Sequence, residues 1–173
     1  MADILTEVKN TTDELMGILS SFSQTELNTA PKEGSWTAAQ VGEHLLKSYG
    51  VVEILKKPVQ KTERPADQKI DAIREVMLNF DTKMNAPEFI LPAKTQINKD
   101  ALLNSLRTTT SRIIDIAEPL DLSDTCVGFS LPVFEELTRL EWLHFILYHT
   151  QRHIQQLKNI KQKVMGGKAE IQG

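Results

Sequence analysis

The 173-residue chain holds four histidines, His44, His144, His149 and His153. Two of them, His149 and His153, stand four residues apart in the stretch TRLEWLHFILYHTQRHIQQLKNI, which reads as a helix. On an α-helix that spacing sets one ring above the other, about 40° apart around the axis. Two imidazoles so placed can bind one divalent ion. The stripe that carries them is otherwise apolar, with Trp142, Phe145 and Ile146 before them and Leu157, Ile160 and Val164 after. Imidazoles among such neighbours lose hydration, which is unfavourable without a compensating partner. The plainer alternative is a pair of hydrogen-bonded structural or surface histidines, which a bare H-x-x-x-H also allows; the apolar positions on both sides weigh against it. His44 is the candidate third ligand, because Val41, Leu45, Val51 and Val52 place it near the inward side of its own helix. As a lone histidine it would read as a satisfied core residue. His144 lies about 140° from His149 and about 180° from His153 around the helix, so it cannot share their face. It reads as a surface or packing residue.

Two familiar metal templates fail. Zincin metalloproteases carry H-E-x-x-H with the glutamate as general base, whereas this chain has His149-Thr150-Gln151-Arg152-His153. Di-iron bundles need two Glu-x-x-His pairs and two further glutamates; Glu141 to His144 is a single match, and His144 faces away. Metal-bound histidines usually donate their other N–H to a carboxylate or carbonyl. Glu43, Glu141 and Gln156 are candidates. Glu141 reads better as a helix cap, and Gln156 is preferred because seven residues return it to nearly the face of His149. Arg152 is a candidate for the pocket mouth, where it could meet an anion, with a solvated side chain as the alternative. Cys126 has no identifiable base beside it and reads as inert. Gly166-Gly167-Lys168 lacks the preceding strand and following helix of a phosphate loop. Lys158, Lys161 and Lys163 suit a solvated helix C-terminus.

Helices must position these rings. The first is expected over residues 2–23, with Ile4, Val8, Leu15, Ile18, Leu19 and Phe22 on one face. The second is expected over 37–56. Thr37 and Gln40 form its capping box, Trp36 and Val41 its hydrophobic staple, and Pro58 its limit. A polar connection, KPVQKTERPAD, leads to a short helical pattern within 69–84, marked by Ile70, Ile73, Met77 and Phe80. The next long helix is expected over 98–118 behind an Asn98 cap, with Leu102, Leu103, Leu106, Ile113 and Ile116 or Ala117 inward. The last, over 138–164, repeats the capping device with Thr138 and Glu141 and the staple with Leu137 and Trp142, and ends at Gly166-Gly167. No stretch alternates with period two over a strand length. The expected fold is an all-α four-helix bundle with long crossover connections and one extra short helix.

Composition agrees with one globular domain. Hydrophobic residues make up 40% and charged residues 25%, which excludes wholesale disorder. Against 23 acidic residues stand 20 basic ones, a net charge of −3 that argues against nucleic acid as partner. No stretch approaches the roughly 20 apolar residues of a bilayer span, the first twenty residues do not read as a signal peptide, and one cysteine cannot form an internal disulfide. A cytoplasmic location is expected.

Two motifs, about thirty residues together, resemble the DinB/YfiT-like superfamily. The first is Trp36 and Thr37 followed by Glu43-His44-Leu45; the second runs from Leu137 to Gln156, LTRLEWL followed by HTQRHIQQ. Gly128 and Pro132 match the family's Pro/Gly turn loosely. The resemblance spans nearly the whole chain in helix order and implies a four-helix bundle with a three-histidine metal site, one ligand from the second helix and two from the last. Carried over, the ligands are His44, His149 and His153, the three that periodicity suggests. The superfamily includes thiol-dependent S-transferases and isomerases, so the resemblance implies a small-molecule substrate, with a low-molecular-weight thiol as partner, and a homodimer. Three neutral imidazoles would leave a divalent ion its full charge and an open position, the pattern of a catalytic site. Such an ion could make a nucleophile of a bound water or thiol at neutral pH. Zinc, nickel, copper and iron all accept nitrogen ligands. The expected function is a metal-dependent S-transferase or hydrolase; the rival classes are a non-catalytic bundle that binds metal or a small ligand, and a purely structural bundle.

Overall fold

A computed structural model describes residues 3–84, 86–87 and 90–172, the side chains of 167–172 excepted. The chain forms α1 (Ile4–Ser20), α2 (Gln24–Leu27), α3 (Ala38–Ser48), a 3₁₀ helix (Tyr49–Lys56), β1 (Val59–Gln60), α4 (Ile70–Met77), α5 (Lys99–Ala117), β2 (Thr125–Cys126) and α6 (Arg139–Gln172). Four long helical segments make the bundle: α1, α3 with its 3₁₀ extension, α5 and α6. The last helix packs against α1, α3 and α4, while α1 and α3 each also pack on α5. Trp142, Tyr49, Phe22, Leu15, Leu106 and Ile113 are among the largest fully buried side chains of the core between them.

The helix starts follow from local chemistry. Thr37 Oγ1 accepts from the Gln40 N–H at 3.1 Å while Gln40 Oε1 accepts from the Thr37 N–H at 2.9 Å. At α6 the Glu141 N–H donates to Thr138 Oγ1 at 3.1 Å and the Thr138 N–H to Glu141 Oε2 at 2.8 Å. Each pair satisfies two backbone donors that a helix N-terminus leaves open. Asn98 Oδ1 accepts from the Ala101 N–H in the same role at α5. Gly42 sets how closely α3 lies on α5: a Cβ there would sit 2.9 Å from Leu102 Cδ2, so only a glycine permits this approach without repacking. His44 is two residues further along.

Several boundaries differ from those expected. The first helix ends at Ser20, and Ser23 opens a separate turn with its own capping box to Glu26; residue 2 lies outside the described residues. The second helix tightens to 3₁₀ form from Tyr49, where Gly50 and two β-branched valines weaken α-propensity. The short helix stops at Met77, which leaves Phe80 53% exposed rather than inward. The last helix continues through Gly166 and Gly167, because neither takes the positive φ of a glycine cap; Gly34 is the glycine with positive φ among the described residues. The Lys168 side chain lies outside the described residues. Two strands of two residues pair antiparallel, Val59 with Cys126 and Gln60 with Thr125, and clip the connection after the 3₁₀ helix to the one before α6. Strands that short are below the length at which alternation can be read.

Candidate metal centre

Three rings meet in the bundle. His44, on the middle of α3, is buried, at 3% exposed, and His149 and His153, one turn apart on α6, are half-buried. His44 Nε2 lies 3.3 Å from His149 Nε2, and His153 Nε2 lies 3.1 Å from the same atom. The three potential ligand atoms all fall within 4.8 Å of one another, and no other group of three or more His, Cys, Asp or Glu side chains among the described residues is so disposed.

The hydrogen bonds at the far side of two rings determine what faces the centre. Ile90 O lies 3.0 Å from His44 Nδ1, and a carbonyl can only accept, so Nδ1 carries the proton and Nε2 a bare lone pair. Gln156 Oε1, 2.8 Å from His153 Nδ1, fixes the same tautomer there. Two lone pairs therefore point at His149 Nε2. A single N–H on that atom could answer one of them, never both. Nitrogens held about 2.0–2.1 Å from a tetrahedral ion stand about 3.3 Å apart, which matches the two separations. The three residues fit a divalent ion with imidazole ligands.

Electrostatics keep the rings in the ligating form. Burial lowers the pKa of His44 below the ordinary histidine value against the raising effect of its bond to Ile90. Burial also lowers His153, to about 4, helped by His44 and Arg152 and opposed by Gln156. His149 is pushed well below its usual value by burial first, then by His153, His44 and Arg152. All three are neutral at pH 7.

Aromatic rings wall the centre. Trp36 lies 5.2 Å from His44 between ring centroids. Phe145 stacks on His149 at 5.7 Å and meets Trp142 edge-on at 5.6 Å, and Trp142 contacts the exposed Phe129 at 6.0 Å.

The other candidates fall in different places. Gln156 meets His153, three residues back on its own helix, rather than His149. Arg152 is half-buried, and its guanidinium donates to the carbonyls of Met77, Asn79 and Thr82 at the C-terminal end of α4. Glu43 accepts from the Ala93 N–H at 3.0 Å and pairs with Lys47 at 3.3 Å. Glu141 is fully buried, accepting from both Arg64 terminal nitrogens and from the Lys69 and Thr138 N–H groups. Cys126 is buried in β2, and burial pushes its thiol up to about 11, the state of an unreactive sulfur. His144 donates to or accepts nothing at the centre; its Nδ1 sits 3.0 Å from Leu140 O. The Ile90 carbonyl is the component of the site that sequence reading missed, since a backbone group carries no residue signature.

Comparison with known proteins agrees with this architecture. The family described as the DinB superfamily matches residues 7–157. The uncharacterized protein YuaE of Bacillus subtilis is 30% identical over 147 residues, covering 84% of this chain and 90% of YuaE. YfiT from Bacillus subtilis, described as a probable metal-dependent hydrolase with an unusual four-helix bundle topology, superposes with a TM-score of 0.61 at 19% identity over 94% of this chain and 86% of YfiT. TT2238, described as a four-helix bundle protein, gives 0.53 at 21% identity over 90% and 96%. At those identities the two structures speak for the fold. The sequence match over most of the chain speaks for descent, and the chain belongs to the DinB superfamily.

Proposed function

We propose that this protein is a metal-dependent enzyme of the S-transferase or hydrolase type, with a divalent ion held by His44, His149 and His153. The observation that carries the reading is the convergence of two fixed Nε2 lone pairs on a third imidazole nitrogen, at 3.3 and 3.1 Å. The description of YfiT, a structural neighbour, as a probable metal-dependent hydrolase supports it. An ion so bound would act as a Lewis acid toward a thiol or water.

The chain's own residues prepare that role. Ile90 O and Gln156 Oε1 hold two rings in the tautomer that offers Nε2. Burial keeps the rings unprotonated, and Phe145 and Trp36 give the centre apolar walls that limit water. No carboxylate among the described residues hydrogen-bonds to the three rings; Glu43 and Glu141 are engaged elsewhere. That lack of a base favours a low-molecular-weight thiol over water as the nucleophile, because a thiol ionises at about pH 8.5 against about 15.7 for water. The proposal includes a small electrophile as second substrate and a homodimer formed through outer helix faces. Light scattering would reveal the dimer as twice the 19.5 kDa chain mass.

Protein purified without a histidine tag is expected to hold about one ion per chain and to lose it in the His149→Ala and His153→Ala variants. Equal metal content in those variants overturns the site. Zinc-loaded protein, screened with electrophiles and several small thiols, is expected to turn over faster than a variant with all three histidines replaced. Equal rates, with metal still bound by the unaltered protein, would leave a binding module and remove the enzyme.

A further inference from the structure

One face of α3 grips the backbone of the segment 90–93. Four side chains at helical spacing, i, i+3, i+4 and i+7, reach it. Gln40 Nε2 donates to Ala93 O at 3.1 Å, Glu43 Oε2 accepts from the Ala93 N–H at 3.0 Å, His44 Nδ1 donates to Ile90 O at 3.0 Å, and Lys47 Nζ donates to Leu91 O at 2.7 Å. Ala93 is thus held at both its N–H and its C=O, as a strand residue is held by a neighbouring strand. None of residues 90–93 is buried, and Leu91 is 42% exposed. Apolar burial therefore does little to fix the segment; the polar side chains of α3 do.

The two orienting bonds at the metal centre differ in origin. Gln156 sits three residues from His153 on one helix, so the helix itself delivers it. Ile90 is 46 residues from His44 and belongs to no long element. Its carbonyl is in place only while the segment is held.

We infer that Glu43, with Gln40 and Lys47, is a positioning residue for the candidate metal ligand His44, acting by clamping the 90–93 backbone so that the Ile90 carbonyl selects the His44 tautomer that offers Nε2. This rests on the three-histidine reading for its effect on metal, but the tautomer itself is a property of the metal-free protein. Loss of an outer-shell partner of a metal-bound histidine weakens metal affinity by about 10–100-fold. Glu43 acts one contact further out, which puts its effect at the lower end.

The test compares Glu43→Ala with Glu43→Gln, the latter keeping an oxygen that can accept from the Ala93 N–H. Zinc dissociation constants are measured by competition with a chromophoric chelator, and the His44 tautomer by long-range ¹H–¹⁵N correlation spectra of metal-free protein. Circular dichroism checks that both variants keep the fold. Expected are a dissociation constant about tenfold higher and a mixed His44 tautomer in Glu43→Ala, with both values near those of the unaltered protein in Glu43→Gln. An unchanged tautomer and unchanged affinity in folded Glu43→Ala overturn the inference and leave the metal site standing. An unaltered protein that takes up no zinc overturns the metal site, and the tautomer comparison then decides the clamp by itself. If Glu43→Ala does not fold, Lys47→Met, which removes the bond to Leu91 O, carries the same two measurements.

Discussion

Acid should destabilise the metal-free protein through its histidine cluster. His153 has an ordinary pKa of 6.5 in the unfolded chain and about 4 in the folded one, because burial, His44 and Arg152 disfavour the imidazolium. The unfolded state therefore binds the proton more readily. Stability is complete above pH 6.5 and falls as the pH drops from there toward 4. By pH 5 a group shifted this far removes about 2 kcal/mol, and by pH 4 about 3 kcal/mol. His149 and His44 shift in the same direction, so the three rings titrate as one coupled unit and deepen the loss. A domain of this size has roughly 5–15 kcal/mol to lose. Glu141 works in a lower window: its pKa is held below 4.5 by Arg64 and the Thr138 and Lys69 N–H groups against the opposing effect of burial, so its contribution is lost only as the pH falls beneath that value. Urea denaturation of chelator-treated protein at half-unit steps from pH 7.5 to 5 isolates the histidines. His153→Gln, which cannot titrate, should flatten that slope by about one proton. A slope unchanged by the substitution, or no slope at all above pH 5, would refute the burial argument for these rings.

Three further outcomes follow from contacts away from the centre. Arg64→Ala leaves the fully buried Glu141 carboxylate without its cation, and chemical denaturation should show a loss of about 3 kcal/mol. Tyr49→Phe removes a buried hydroxyl 2.8 Å from Thr150 Oγ1, which still donates to Ile146 O, so the same assay should show only about 1 kcal/mol. Cys126 should resist an aromatic disulfide reagent in the folded chain at pH 8 and react fully once urea is added; fast reaction in native protein would contradict its burial and its raised pKa.

Capping chemistry was legible because it is local. Thr37 with Gln40 and Thr138 with Glu141 lie three residues apart, and both boxes form. The same signature at Ser23 and Glu26 was there to be read, but it hides in what the apolar pattern takes for the end of one helix. The meeting of His149 and His153 follows from helix period alone, whereas His44 joins them across 105 residues of sequence, a distance at which inward placement on each helix is the only available clue. Arg152 was misplaced for the converse reason. Its partners are carbonyls at the end of α4, and nothing in their side chains announces that a helix stops at Met77.

The position of α6 in the chain has a consequence for synthesis. This helix is made after α1, α3 and α4, yet all three rest on it. Until residues beyond 139 leave the ribosome, α1 and α3 can meet α5, but the apolar surface that each of α1, α3 and α4 presents to α6 stays open to solvent. The nascent chain must wait in a compact but sticky condition, the kind of intermediate that aggregates and engages chaperones. A ribosome stalled just before α6 releases a polypeptide with most of its core residues and an incomplete core. The penalty for incomplete translation is thus built into the order of the helices, and a fragment carrying His44 without its distant partners should be cleared as misfolded protein.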